Sequence, residues 1–152
     1  MAEKHAKRAA DLRTELQRLD ASFPDLRERA EQAAATTRGR LQIFETHPTT
    51  SVGVARNLQL DPTQFVTAYR KLCVWAGATV DVVKAGHGLC VKTLAVVTSV
   101  ESELMTLGRF RAWSVIGDLQ SRTEAVHQAF GQAAVAVREV EAEILKLPPS
   151  LR

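Results

Sequence analysis

The side chains best suited to chemistry in this chain of 152 residues are Cys73, Cys90, His87 and a few basic residues set beside aromatics. A reactive thiol needs a neighbouring base or an electropositive site that holds it as thiolate. His87 stands three residues before Cys90, on an adjacent helical face, and the residues around both are apolar. An apolar setting raises a thiol pKa, so neither cysteine reads as a nucleophile. The two cysteines have no second Cys pair or Cys/His spacing beside them, which leaves no zinc pattern. They read as free thiols, as expected in the cytoplasm or another reducing intracellular compartment.

His87 lies between Gly86 and Gly88. A histidine on a helical bundle can accept a phosphoryl group, but here Cys90 falls where a polar residue would serve better. A histidine hydrogen-bonded at a bend or interface is the expectation. His5, His47 and His127 are scattered, and the paired Glu-x-x-His motifs of di-iron bundles are not evident. No catalytic, metal or cofactor-binding residues are therefore expected, and the chain does not read as an enzyme.

The basic residues form small groups. Lys4, Lys7 and Arg8 open the chain, Arg38 and Arg40 follow, and Arg109 and Arg111 flank Phe110 just before Trp113. Interleaved cations and aromatics can hold phosphates and stack on bases. Lys4, Lys7, Arg8, Arg109 and Arg111 are thus the candidates for anion contacts, at the level of a weak signal. The ordinary reading of 109–113 is a solvated turn with one buried aromatic. The net charge of only +3, and carboxylates mixed among the cations as in Arg27-Glu28-Arg29 and Glu31, argue against a dense phosphate-binding face.

The elements that carry these residues are long helices. Hydrophobic residues make up 45% and charged residues 24%, the balance of a folded chain, not a disordered one. Aromatics are only 5%, which suits closely spaced helices better than a thick core. Ala9, Leu12, Leu16, Leu19, Phe23, Leu26, Ala30 and Ala33 recur at steps of three and four, a heptad seam. It predicts a first helix over 3–46. Pro24 sits inside the seam. Ser22 and Asp25 offer a new helix start there, but the unbroken phase favours one continuous helix kinked at the proline. Pro48 stops it, and a connector over 48–60 has room for a short helix from Ser51 to Leu58.

Asp61, Pro62 and Gln64 give a clear start signal for a second helix over 62–107. Its seam reads Phe65, Ala68, Leu72, Trp75, Thr79, Val82, Gly86, Leu89, Thr93, Val96 and Val100. Gly108 takes the role of the residue just past the helix end. A third helix over 109–147 carries Val126, Phe130, Ala133, Val137, Val140, Ile144 and Leu147, and Pro148-Pro149 stops it. The fold class is all-α: one domain over 1–147, an elongated up-down-up bundle of three long helices, with a short tail at 148–152.

The second helix is apolar on more than one face, as in 72–78 and 89–100. Such a helix must be covered, either by its neighbours or by a partner chain. Asp81, Lys84, His87 and Lys92 make it too costly for a bilayer core, so no transmembrane segment is expected. No secretory leader is expected either, since the N-terminus lacks an apolar stretch. The reading is a non-enzymatic scaffold or complex subunit that packs coiled-coil fashion against other chains. Leu12, Leu16, Leu19 and Leu26 would dock on neighbouring or partner helices, with Leu72, Trp75, Val82, Leu89 and Val96 as a covered centre. The alternative is a helical coat, nucleic-acid-packaging or membrane-surface protein that uses its basic helix ends.

Overall fold

The computed structural model describes residues 2–147. Among them the chain is nearly all helical: α1 (Ala2–Thr46), α2 (Pro48–Asn57), α3 (Pro62–Glu103), a 3-10 turn (Leu104–Thr106) and α4 (Arg109–Leu145), with no strand. Four α-helices, not three, make the fold. The expected connector holds α2, which starts earlier than Ser51 because Pro48 is pre-set for the first helical position. The expected stop at Pro148-Pro149 and the tail at 148–152 lie outside the described residues.

Pro24 stands inside an unbroken α1. Ser22 does not cap a new helix; its hydroxyl donates back to the Arg18 carbonyl at 2.9 Å, as a helix-interior serine does. The end of α3 also differs from expectation. Gly108 does not close α3 in a left-handed conformation, and no glycine among the described residues has a positive φ. The chain leaves α3 through the 3-10 turn and an extended Leu107 (φ −81°, ψ 144°). Gly108 instead opens α4, its carbonyl accepting from the Ala112 N–H at 2.9 Å.

The described chain divides into two compact units, one of residues 2–25 with 83–133 and the other of 26–82 with 134–147. In the first unit α1 runs antiparallel to α3, as the pairs Arg13–Glu101 (2.8 Å) and Asp20–His87 (2.7 Å) show. It runs parallel to α4, with Glu15 opposite His127 at 3.4 Å. Ala9, Leu12, Leu16 and Phe23 of α1 are buried there, with Val83, Cys90 and Val97 of α3 and Ala112, Ile116, Leu119 and Val126 of α4. Phe23 is fully buried, stacked on the His87 ring at 5.2 Å and edge-on to Phe130 at 5.1 Å. Gly86 makes room for it: a Cβ at that position would lie 3.1 Å from Phe23 Cε1.

The second unit has two apolar clusters. Phe44, Ala55, Phe65 and Tyr69 form one, edged by Leu41, Leu58, Leu72 and Leu147. Phe44 meets Phe65 and Tyr69 edge-on at 5.3 and 5.1 Å, the arrangement aromatic quadrupoles favour. Ala33, Ala34, Ala76 and Val140 form the other, and the small side chains there let backbones approach closely. Arg29 holds Glu141 with two hydrogen bonds, and Arg70 donates to Glu45 at 2.9 Å.

The α1 seam is buried as its spacing predicts, apart from a half-buried Leu19. The α3 seam is shifted by one residue at every second position. The buried residues are Phe65, Tyr69, Ala76, Thr79, Val83, Gly86, Cys90, Thr93, Val97 and Leu104. Phe65, Thr79, Gly86 and Thr93 are common to the expected and observed seams; Trp75, Val82 and Leu89 are not. The buried threonines are satisfied within their own helix. Thr79 donates to the Trp75 carbonyl at 3.0 Å and Thr93 to the Leu89 carbonyl at 2.8 Å.

Candidate functional site

The reactive groups singled out from the sequence are held in quiet environments. Cys90 is fully buried, and its thiol faces the Leu16 carbonyl at 3.5 Å. Burial, aided by the Asp20 charge, pushes its pKa from 9.0 up to about 11, the opposite of what a nucleophile requires. Cys73 is half-buried, and both cysteines are free thiols. His87 Nε2–H donates to Asp20 Oδ1 and the ring stacks on Phe23, which is the hydrogen-bonded histidine expected. The α-helix continues without a break through Gly86-His87-Gly88.

Glu124-Ala125-Val126-His127 does have a Glu-x-x-His spacing, a single instance that the sequence reading passed over. Both side chains face solvent, and His127 pairs with Glu15. No group of three or more His, Cys, Asp or Glu among the described residues is placed to hold a metal ion. No helix among them is long and apolar enough to cross a membrane.

Two surface features remain, and both are suited to binding. The first is the outward side of α3. Trp75, Val82 and Leu89 recur every seven residues and are 37%, 43% and 39% exposed. The chain's own packing therefore covers them only in part. Within this chain the inner side of α3 is filled by smaller residues, Ala76, Val83 and Cys90, because Phe23 and the alanines of α1 sit close against it. Ala78 and Ala85 fall between the larger residues on the outward side and are exposed as well. Leu72 and Val96 are half-buried. Val74 and Val91 add further exposed apolar surface in their respective units. Leu12, Leu16 and Leu26, the other expected docking residues, are spent inside the chain's own packing, with Leu19 half-buried beside them.

The second feature is a groove of about 1000 Å³ in the first unit, between the start of α1 and the start of α4. The α1 side brings Lys4, Lys7 and Arg8, and the α4 side brings Arg109, Phe110 and Trp113. The buried Ile116 and the exposed Gly117 also line it, and Asp11 is the one carboxylate on the wall. With the Gln120 amide oxygen turned towards it, Arg8 Nε donates at 2.7 Å across the groove. The structure therefore brings together four of the five basic residues proposed for anion contacts, although Arg109 is more than 100 positions from the other three in the chain. Arg111 is exposed but does not line the groove, because two residues along a helix from Arg109 it points away. The expected buried aromatic is absent: Phe110 is 87% and Trp113 71% exposed.

Comparison with known protein families, with curated proteins and with solved structures yields no match to this chain.

Proposed function

We propose that this protein is a non-enzymatic assembly subunit that binds partner helices through the outward heptad positions of α3. The observation that carries the reading is the spacing of exposed apolar residues. Trp75 and Val82 sit seven apart on α3 in the second unit with Ala78 between them, Leu89 follows seven further along the same helix in the first unit, and each is left partly exposed by the chain's own packing. A seven-residue apolar repeat is the pattern that knobs-into-holes packing uses, and small residues at alternate positions let a second helix approach closely. Scattered single apolar residues on a surface need no explanation, but a periodic set on one face does.

The charges beside this face define the partner. Lys71, Lys84 and Lys92 are exposed along α3, against Asp81. A partner helix with an apolar seam and acidic flanks complements them, whereas a second α3 would set lysine against lysine. The same reading takes the two free cysteines as those of a protein kept in a reducing compartment. The alternative, a nucleic-acid-packaging or membrane-surface protein, is less well supported. Arg13, Arg27, Arg29, Arg70, Arg122 and Lys146 are engaged by carboxylates and do not form an open basic face.

The test is a capture experiment with the full chain from its own cells at mild salt. Proteins retained by the wild type should be lost with Val82→Asp and with Leu89→Asp, and kept with Gln128→Asp, a control at an exposed site on α4. Equal retention by all four chains would defeat the proposal.

A further inference from the structure

We infer that the groove between the start of α1 and the start of α4 binds an acidic amphipathic peptide segment, at a site separate from the α3 face. Three observations support a ligand there. Phe110 and Trp113 are the most exposed aromatic rings named among the large exposed hydrophobics, and they stand one helical turn apart on the same side of α4. Lys4, Lys7, Arg8 and Arg109 surround them, with Asp11 as the single opposing charge. Beside the rings the lining turns apolar at the buried Ile116, and it is open at the exposed Gly117, where a Cβ would meet nothing within 4 Å.

The shape and chemistry select the ligand class. The wall contributed by 109–120 rises roughly 16 Å along α4, which matches about three turns of a bound helix. Apolar side chains on one face of such a segment would reach Ile116 and the flanks of Phe110 and Trp113. Carboxylates on its other positions would meet the lysines and arginines at the rim, an arrangement in which charge sets orientation and aromatics supply contact area. A flat membrane would touch the protruding rings but would leave the buried Ile116 unused. A nucleic-acid strand would use the cations and rings but has no apolar group for that residue. The acidic peptide uses every part of the groove.

The experiment uses the full chain with Trp75→Phe, so that Trp113 is the only indole and reports the groove by fluorescence. The probe is a synthetic amphipathic helix of about four turns, with leucines on one face and glutamates elsewhere. A saturable blue shift is expected, weakened roughly tenfold by Lys7→Glu or by Phe110→Ala, both at exposed positions where helicity should be kept. The same peptide with lysines replacing glutamates should not bind. No saturable shift, equal affinity for the lysine peptide, or indifference to both variants would overturn the inference. Saturation by phosphatidylserine vesicles or by oligo(dT), but not by the glutamate peptide, would reassign the groove to a membrane or to nucleic acid. Because Val82 and Leu89 are untouched, failure here leaves the α3 proposal standing, and failure there leaves this one.

Discussion

Gly86 and Gly88 lie two residues apart in the same helix, and substituting each by alanine should move stability in opposite directions. Both replacements gain the intrinsic helix preference of alanine over glycine, about 0.8–1.0 kcal/mol. At Gly88 nothing lies within 4 Å of the new methyl, so the gain stands and Gly88→Ala should stabilise by about 1 kcal/mol. Gly77→Ala in the other unit should behave likewise, since its Cβ would also meet open space. At Gly86 the methyl would sit 3.1 Å from Phe23 Cε1, 3.4 Å from Cζ and 3.6 Å from the Ala129 carbonyl oxygen. Phe23 has little room to retreat: it is 0% exposed, with His87 on one side and Phe130 on the other. Forcing a methylene-sized group into such a site costs typically about 1–3 kcal/mol, which offsets or exceeds the helical gain. The net change for Gly86→Ala is therefore about 0–2 kcal/mol of destabilisation, and the gap between the two variants about 1–3 kcal/mol. Urea unfolding followed by circular dichroism measures it, with unchanged slope as the check on two-state behaviour. If Gly86→Ala were stabilised as much as Gly88→Ala, the close approach of Phe23 to the α3 backbone would be refuted.

Further consequences follow from single residues. Gln59 closes α2 at φ 58°, with the Leu60 N–H bonded to the Ala55 carbonyl at 2.8 Å and the Gln59 N–H to the Arg56 carbonyl at 3.0 Å; Gln59→Gly should stabilise by about 1 kcal/mol in thermal melts, since glycine adopts this conformation without the Cβ clash. The buried Tyr69 hydroxyl has no hydrogen-bond partner among the described residues, so Tyr69→Phe should be neutral or stabilising by about 1–2 kcal/mol in urea unfolding. Tyr69 is the chain's one tyrosine, and burial, opposed by Arg40 and reinforced by Cys73, pushes its pKa from 10.0 up to about 12; absorbance at alkaline pH should show one late phenol titration. The folded chain keeps protons on Cys90 and Tyr69 that the unfolded chain releases, so stability should fall as pH rises from about 9 to 11 for the thiol and from about 10 to 12 for the phenol. Iodoacetamide near neutral pH should alkylate the half-buried Cys73 well before Cys90, which has no exposed surface, as read by mass spectrometry of peptides.

The all-α class and the extents of the long helices were legible in the residues themselves. Seven-residue spacing locates an inner face wherever only one face is apolar, which is why Leu12, Leu16, Phe23 and Leu26 in α1 and Val126, Val137 and Val140 in α4 fall inside as expected. In α3 the rule loses its power, because two adjacent stripes are apolar. Trp75, Val82 and Leu89 compete there with Ala76, Val83 and Cys90, and spacing cannot choose between them. Size would suggest that the larger set goes inside. The packing decides otherwise, since the space beside Phe23 and the α1 alanines admits only small side chains. The α2 closure at Gln59 was hidden for another reason: the usual glycine is missing, so no residue type marks the left-handed position. As for the groove, Lys4, Lys7, Arg8 and Arg109 could each be named from the sequence, but their convergence depends on α1 and α4 running parallel in the first unit. Phe110 and Trp113 were expected to contribute one buried ring, and their exposure follows from the α4 seam extending through Ala112, Ile116 and Leu119 on the neighbouring face.

The central claim is that the outward face of α3 is where this protein joins an assembly. The most direct measurement is the mass, by light scattering, of the tagged chain purified from its own cells at mild salt, compared with Val82→Asp and Leu89→Asp versions prepared in parallel. Both sites are already partly exposed, so the substitutions should leave the helical circular dichroism signal intact. The account predicts a wild-type species larger than the monomer and a monomer for each variant. A wild-type chain that runs as a stable monomer, or variants that keep the larger mass, would contradict it.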